Sequence, residues 1–221
     1  MTVYSNENEA VSKSALRRKR EREQRYQTIL DAAEPLFARK GYHQTSIETI
    51  ADVAEVSVGM VYFYFKNKED LLIHLLNEIG FRLRKLLGDE FEKAGATLEG
   101  FKMAGHAFFE KFCVPYPYKA IILYRESVGQ SSTVENHRKQ ILDKLKEDVL
   151  GALLRMKKNM GFEFRSNVSA EVIVVSILGI YERVAYEYLI WQNRSKDLKH
   201  IGQDAVTFLI GGITGLSVRK D

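Results

Sequence analysis

At 221 residues, with 45% apolar and 28% charged residues, the chain has an ordinary soluble composition and the length for a small head plus a larger second domain. Its longest nearly uncharged run, Val172 to Tyr181, is too short to span a bilayer, and its polar, then basic, N-terminus carries no secretory signal. A single cysteine, Cys113, excludes an intramolecular disulfide and fits a reducing compartment, so a cytoplasmic protein with no membrane partner is expected. The net charge of +4 is concentrated: Lys13 to Arg25 carries seven Lys or Arg against Glu21 and Glu23, so the rest of the chain is close to neutral.

Taken in order, Met1 to Ser12 is polar and aperiodic and reads as disordered, with helix beginning somewhere in the Arg/Glu run that follows. From Tyr26 to Arg39, Ile29, Ala32, Ala33, Leu36 and Phe37 recur at helical spacing, with a kink expected at Pro35 and a stop at Gly41. Thr45 and Glu48 have capping-box spacing, and Ile47, Ile50, Ala51 and Ala54 give a short helix an apolar face. Glu55 and Val56 make a turn, and Ser57 has the side chain to cap a second short helix with Val61 and Phe65 on its inner face. If Glu55 is left-handed, its side chain costs about 1 kcal/mol relative to glycine. Asn67 with Asp70 opens a third helix, striped by Leu71, Leu72, Leu75, Leu76 and Ile79 and running to about Lys93.

A loop is expected from Gly95 to Gly100, then an aromatic helix from Phe101 to Cys113 stopped by Pro115 and Pro117, and a short helix over Tyr118 to Val128. Ser132 with Glu135 starts a long helix to about Met160. Ala170 to Trp191 is apolar nearly all round in its first half, which requires more than one neighbour. Asp197 to Leu216 has an apolar side, with Gly179, Gly211, Gly212 and Gly215 available where backbones approach closely, so a partner surface is expected.

The run IADVAEVSVGMVYFYFKNKEDLL resembles the operator-binding signature of the TetR family, I-A-x-x-A-G-V-S-x-G-x-x-Y-x-Y/H-F-x-x-K-E-x-L, with Glu55 standing where the family has its turn glycine. That resemblance covers about the first third of the chain. It implies an all-α fold: a basic arm over 1–24, a three-helix helix-turn-helix head over 25–80, and a larger helical ligand-binding and dimerisation domain over 81–221. It also implies a homodimer formed by the last two helices, a double-stranded DNA operator of inverted-repeat form, and release by a small-molecule effector. Carried onto matching positions, Thr45 and Ser57 would bind phosphates, Val58, Gly59 and Met60 would begin the recognition helix, Tyr62 and Tyr64 would meet backbone and base edges, and Lys68 would clamp a phosphate.

For an effector that is acyl or aromatic, Phe109, Phe112, Tyr124, Ile173, Ile177 and Tyr181 offer apolar surface, with His106, Arg125 and Arg183 to orient a head group. Aromatic residues at helical spacing are core more often than pocket. The five histidines are scattered, and there is no H-E-x-x-H, second cysteine, glycine-rich phosphate loop or G-x-S-x-G, so no catalytic residues, metal or cofactor are expected. Two alternatives stay open: a helical small-molecule-binding or catalytic protein whose head only packs, and an activator or global regulator.

Overall fold

A computed structural model describes residues 13–219, and they form an all-α fold with one two-stranded ribbon. Ile29, Leu30, Ala33 and Phe37 give α1 (Lys13–Lys40) its buried face, while everything from Ser14 to Arg25 is exposed. The basic run is therefore a helical extension of α1; the disorder expected over residues 1–12 lies outside the described residues. The helix continues through Pro35 and ends where the Gly41 N–H, at φ 88°, donates to the Phe37 carbonyl.

The head is completed by α2 (Ile47–Val53), α3 (Val58–Tyr64) and the first turns of α4 (Lys68–Lys93). The cap of α2 is Ser46, whose Oγ accepts from the Thr49 N–H at 3.1 Å, and not Thr45 as expected. Thr45 is turned inward and buried, its Oγ1 2.9 Å from the Gly41 carbonyl and 3.2 Å from that of Leu36. Glu55 is left-handed at φ 54°, so the turn into α3 carries the strain that its missing glycine implies. At α4 the Asp70 N–H donates to Asn67 Oδ1 at 2.8 Å, and Asp70 Oδ2 in turn accepts the Lys66 N–H at 2.9 Å.

Behind the head lie α5 (Leu98–Ala107), α6 (Pro117–Ile121), α7 (Ser132–Met160), α8 (Ser169–Val184) and α9 (Leu198–Gly215). Three of the expected helices loosen into π turns, at Phe108–Cys113, Ile122–Glu126 and Ala185–Trp191. Ser131 rather than Ser132 caps α7, and Glu135 is used instead to accept the Gly129 N–H. An antiparallel pair, β1 (Phe162–Phe164) and β2 (Ser217–Arg219), was not expected; strands of three residues are too short to show a period. Among the described residues no helix is long and apolar enough to cross a membrane.

Three polar contacts seat α1, and a fourth the loop after it, on the body. Lys119 of α6 forms an ion pair with Glu34, and Arg39 Nε donates to the Tyr118 hydroxyl at 2.6 Å. Arg125 Nη2 donates to the Ala38 carbonyl at 2.8 Å, and Glu126 Oε2 accepts the Tyr42 N–H at 2.9 Å.

Candidate nucleic-acid interface and effector cavity

Val61 and Phe65 pin α3 to the head core, so residues between them point outward. The exposed face consists of Ser57, Gly59, Tyr62 and Phe63, with Val58 and Met60 half-buried beside it. Ser57 Oγ accepts the Met60 N–H at 3.1 Å, which leaves the N–H groups of the first turn directed at solvent. Phe63 is 65% exposed and was absent from the expected set. Its signal was present in the sequence: two residues along a helix is a rotation of about 200°, so Phe63 faces away from Val61. The Arg22 guanidinium lies 5.7 Å from its ring centre.

Three of the residues expected to meet DNA make contacts within the head. Tyr64 packs edge-on against Tyr26, and its hydroxyl donates to the Arg22 carbonyl at 3.1 Å, which fixes α3 to the basic turns of α1 rather than offering the ring to a base edge. Lys68 Nζ donates to the carbonyls of Tyr42 at 2.8 Å, Thr45 at 2.9 Å and His43 at 3.4 Å, and stands over the Tyr42 ring. An ammonium has three N–H groups, and all three are used within the head. Lys68 thus ties down the loop before α2, and the Thr45 side chain is buried. Lys68→Met is expected to destabilise the protein by roughly 1–3 kcal/mol in urea unfolding while leaving the salt dependence of DNA binding unchanged. A slope shallower by about one would return Lys68 to the phosphate role.

The effector side is a cavity of about 530 Å³ between α4 and α7, floored by α5, α8 and the π turn at Tyr124. Phe91, Phe101, Phe108, Leu145, Ala152 and Ile177 make its walls apolar. Gly88 of α4 and Gly151 of α7 both line it, and a Cβ at either would meet nothing within 4 Å, so the glycines widen the gap between the helices. Charges of both signs line the cavity as well, Arg84, Lys85 and Arg155 with Glu147, Asp148 and Glu182. Arg84 grips Asp148 through Nε at 2.5 Å and Nη2 at 2.9 Å, and Arg155 meets Glu92 at 2.7 Å.

Of the residues expected at a ligand, Tyr124, Ile177 and Tyr181 line this cavity. The rest are placed elsewhere. Phe109 and Phe112 are core, Phe112 stacking on Phe108 and Phe109 lying against Gly202, where a Cβ would come within 2.5 Å of its ring. Ile173 is buried without reaching the cavity, and His106 is half-buried and also off its walls. Arg125 is committed to Ala38 and Glu126, and exposed Arg183 pairs with Glu187 at 2.5 Å and covers Trp191. The walls from α4 and α7 were missed because their leucine, alanine and glycine positions carry the same periodic pattern as core. Cys113 is fully buried, and desolvation pushes its thiol far above the usual range, so it is no nucleophile.

Residues 29–75 match the family model described as bacterial regulatory proteins, tetR family. The fatty acid metabolism regulator protein of Bacillus subtilis is 45% identical over 73 residues, which cover 33% of this chain and 38% of that regulator's own length. Among solved structures, the fatty acid degradation regulator FadR of Bacillus halodurans superposes with a TM-score of 0.77 at 24% identity, covering 85% of this chain and 95% of the other. The transcriptional regulator FadR of Bacillus subtilis, solved in complex with stearoyl-CoA, superposes with a TM-score of 0.74 at 26% identity, covering 85% and 98%.

Proposed function

We propose that this chain, whose residues 29–75 match the tetR family model, is a homodimeric repressor of the TetR family that binds an inverted-repeat operator and releases it when an acyl effector fills the cavity between α4 and α7. The observation that carries this reading is the π turn Ile122–Glu126. Tyr124 lines the cavity, while the next two residues hold the head through the Ala38 carbonyl and the Tyr42 N–H. Tyr42 in turn is held by Lys68, so displacement of one turn by a ligand reaches the loop that sets α2 and α3. The apolar walls suit the chain of an amphiphile, and the relative bound to stearoyl-CoA supports an acyl thioester.

On the DNA side, the recognition surface is Ser57, Val58, Gly59, Met60, Tyr62 and Phe63. The cations of α1 beside this surface are Lys19 and Arg22, which line one groove with Phe63 and Tyr64 and form an electrostatic flank. Two heads are presented together by a dimer through α8 and α9, and the protein works in the cytoplasm, where operator DNA is found. No catalytic step is assigned.

Selection from random duplexes is expected to return an inverted repeat with half-site centres about 34–36 Å apart, or a multiple. Hexadecanoyl-CoA should release that duplex, and by linkage it must bind the DNA complex more weakly than the free protein by the same factor. Equal hexadecanoyl-CoA affinity with and without operator would remove the basis for effector control.

A further inference from the structure

Two phenol hydroxyls on the cavity wall have no hydrogen-bond partner among the described residues. Tyr124 is 5% exposed and Tyr181 9%, both line the cavity, and neither hydroxyl makes a hydrogen bond to any described residue. Each packs on the Phe108 ring, Tyr181 stacked at 5.1 Å between centroids and Tyr124 edge-on at 6.5 Å. Room for the Tyr181 hydroxyl is made by Gly105, where a Cβ would overlap the oxygen. In the same corner Arg138 Nε is a further buried donor without a partner, although the guanidinium reaches Glu182 at 3.7 Å. Glu182 is on the cavity wall. The wall also carries the carboxylates of Glu147 and Asp148, and neither phenol is hydrogen-bonded to any of the three.

Neither hydroxyl is among the sealed-off unpaired atoms of the described residues, which are His106 Nδ1, Gln130 Oε1 and Arg138 Nε, so both O–H groups open onto the cavity and are free to bond what enters it. Desolvation raises the pKa of both phenols, so they stay O–H donors throughout the physiological range. What neither hydroxyl has among the described residues is an acceptor within hydrogen-bond distance, and the cavity is where one would come from.

The geometry points to Tyr124 and Tyr181 as specificity residues that hold an acceptor oxygen of the effector, so that the cavity selects an oxygen-bearing chain over a plain hydrocarbon of equal length. This rests on the effector reading above. The oxygen has two sources with the same chemistry, the thioester carbonyl or an oxygen further along the chain.

The test uses full-length protein, wild type against Tyr124→Phe, Tyr181→Phe and the double variant, titrated with three probes. These are hexadecanoyl-CoA, its carbonyl-free thioether S-hexadecyl-CoA, and 3-oxohexadecanoyl-CoA. Each variant is expected to lose roughly threefold to tenfold in affinity for an oxygen-bearing probe and nothing for the thioether. Loss on hexadecanoyl-CoA assigns the oxygen to the thioester, and loss confined to the 3-oxo probe assigns it to the chain. Equal loss on all three probes, or no loss on any that bind, overturns the assignment. The ligand-free variants should melt no lower than wild type, because no hydrogen bond is removed; a drop of more than about 2 °C overturns it as well. If wild-type protein binds none of the CoA probes, the acyl reading alone fails. The same variants are then compared on acetophenone and ethylbenzene, where a carbonyl preference that disappears in the double variant upholds the oxygen site and its persistence rejects it.

Discussion

Lys119→Met is expected to cost about 3–5 kcal/mol of unfolding free energy, among the largest losses from any single side chain in the molecule. The Lys119 side chain is 7% exposed and that of its partner Glu34 is 14%, so removal of the ammonium strands a carboxylate away from water. Methionine keeps the length and apolar character of the lysine stem, which confines the effect to charge. The partner change provides the control: adding Glu34→Gln should recover most of the loss, because a neutral amide needs no counter-ion. Urea unfolding of the two single variants and the double reads the coupling. A cost below about 1 kcal/mol for Lys119→Met would mean that Glu34 finds water or another cation. The site of the pair matters for function as well as for stability. It joins α6 to α1 beside Arg39 and Tyr118, so the double variant, folded but without the ion pair, also reports how firmly the head must be seated for effector release.

Much of the head was legible in the sequence because its signals are local. Ser57 and Asn67 cap the helices they were expected to cap, and Val61 and Phe65 are buried on one face of α3. The left-handed Glu55 followed from a glycine missing at a position that needs positive φ. Two residues of the head make tertiary contacts that its local signals do not report. Thr45 and Ser46 both can cap, and the choice was settled by tertiary contacts, since the Thr45 hydroxyl found the carbonyls of Leu36 and Gly41. Lys68 was assigned outward for the same reason: its three carbonyl partners come from residues more than twenty positions earlier in the chain, and no spacing rule reports them.

The cavity was far less legible. Its walls come from α4, α5, α7 and α8, and a leucine facing a void has the same periodicity as a leucine facing another leucine. Tyr124 and Tyr181 stood out as aromatic residues, but so did Phe109 and Phe112, and only the fold shows that the first pair borders empty space and the second does not. Arginine was the least readable residue. Arg125 and Arg183 were marked as ligand groups, whereas Arg84 and Arg155, which line the cavity, sit on helices whose apolar stripes drew the reading toward packing.

Phe208→Glu is expected to abolish operator binding, with an affinity loss of a hundredfold or more, by preventing two heads from being held together. Phe208 is 72% exposed in the single chain, an unusual position for a phenylalanine in a helix whose other face is buried through Val206, Leu209 and Ile213. Along α9 the same exposed side carries Gly211, Gly212 and Gly215, and on α8 it carries Val172 at 51%, Val175 at 57% and Gly179. A Cβ at any of those four glycines would meet nothing within 4 Å, so a partner's backbone could approach there. A two-fold axis through this face would place each Phe208 against the other subunit. A glutamate there would have to bury a carboxylate with no cation opposite, which costs several kcal/mol per subunit and acts on both halves of the interface. The substitution is harmless to the isolated fold, because the side chain is solvated in the monomer, so circular dichroism should be unchanged while sedimentation equilibrium shifts from dimer to monomer. Phe208→Leu should keep the dimer and the operator affinity. A native-like dimer for Phe208→Glu that still binds operator would place the two-fold axis on another face of the body; a wild-type chain that sediments as a monomer at micromolar concentration would remove the paired-head reading altogether.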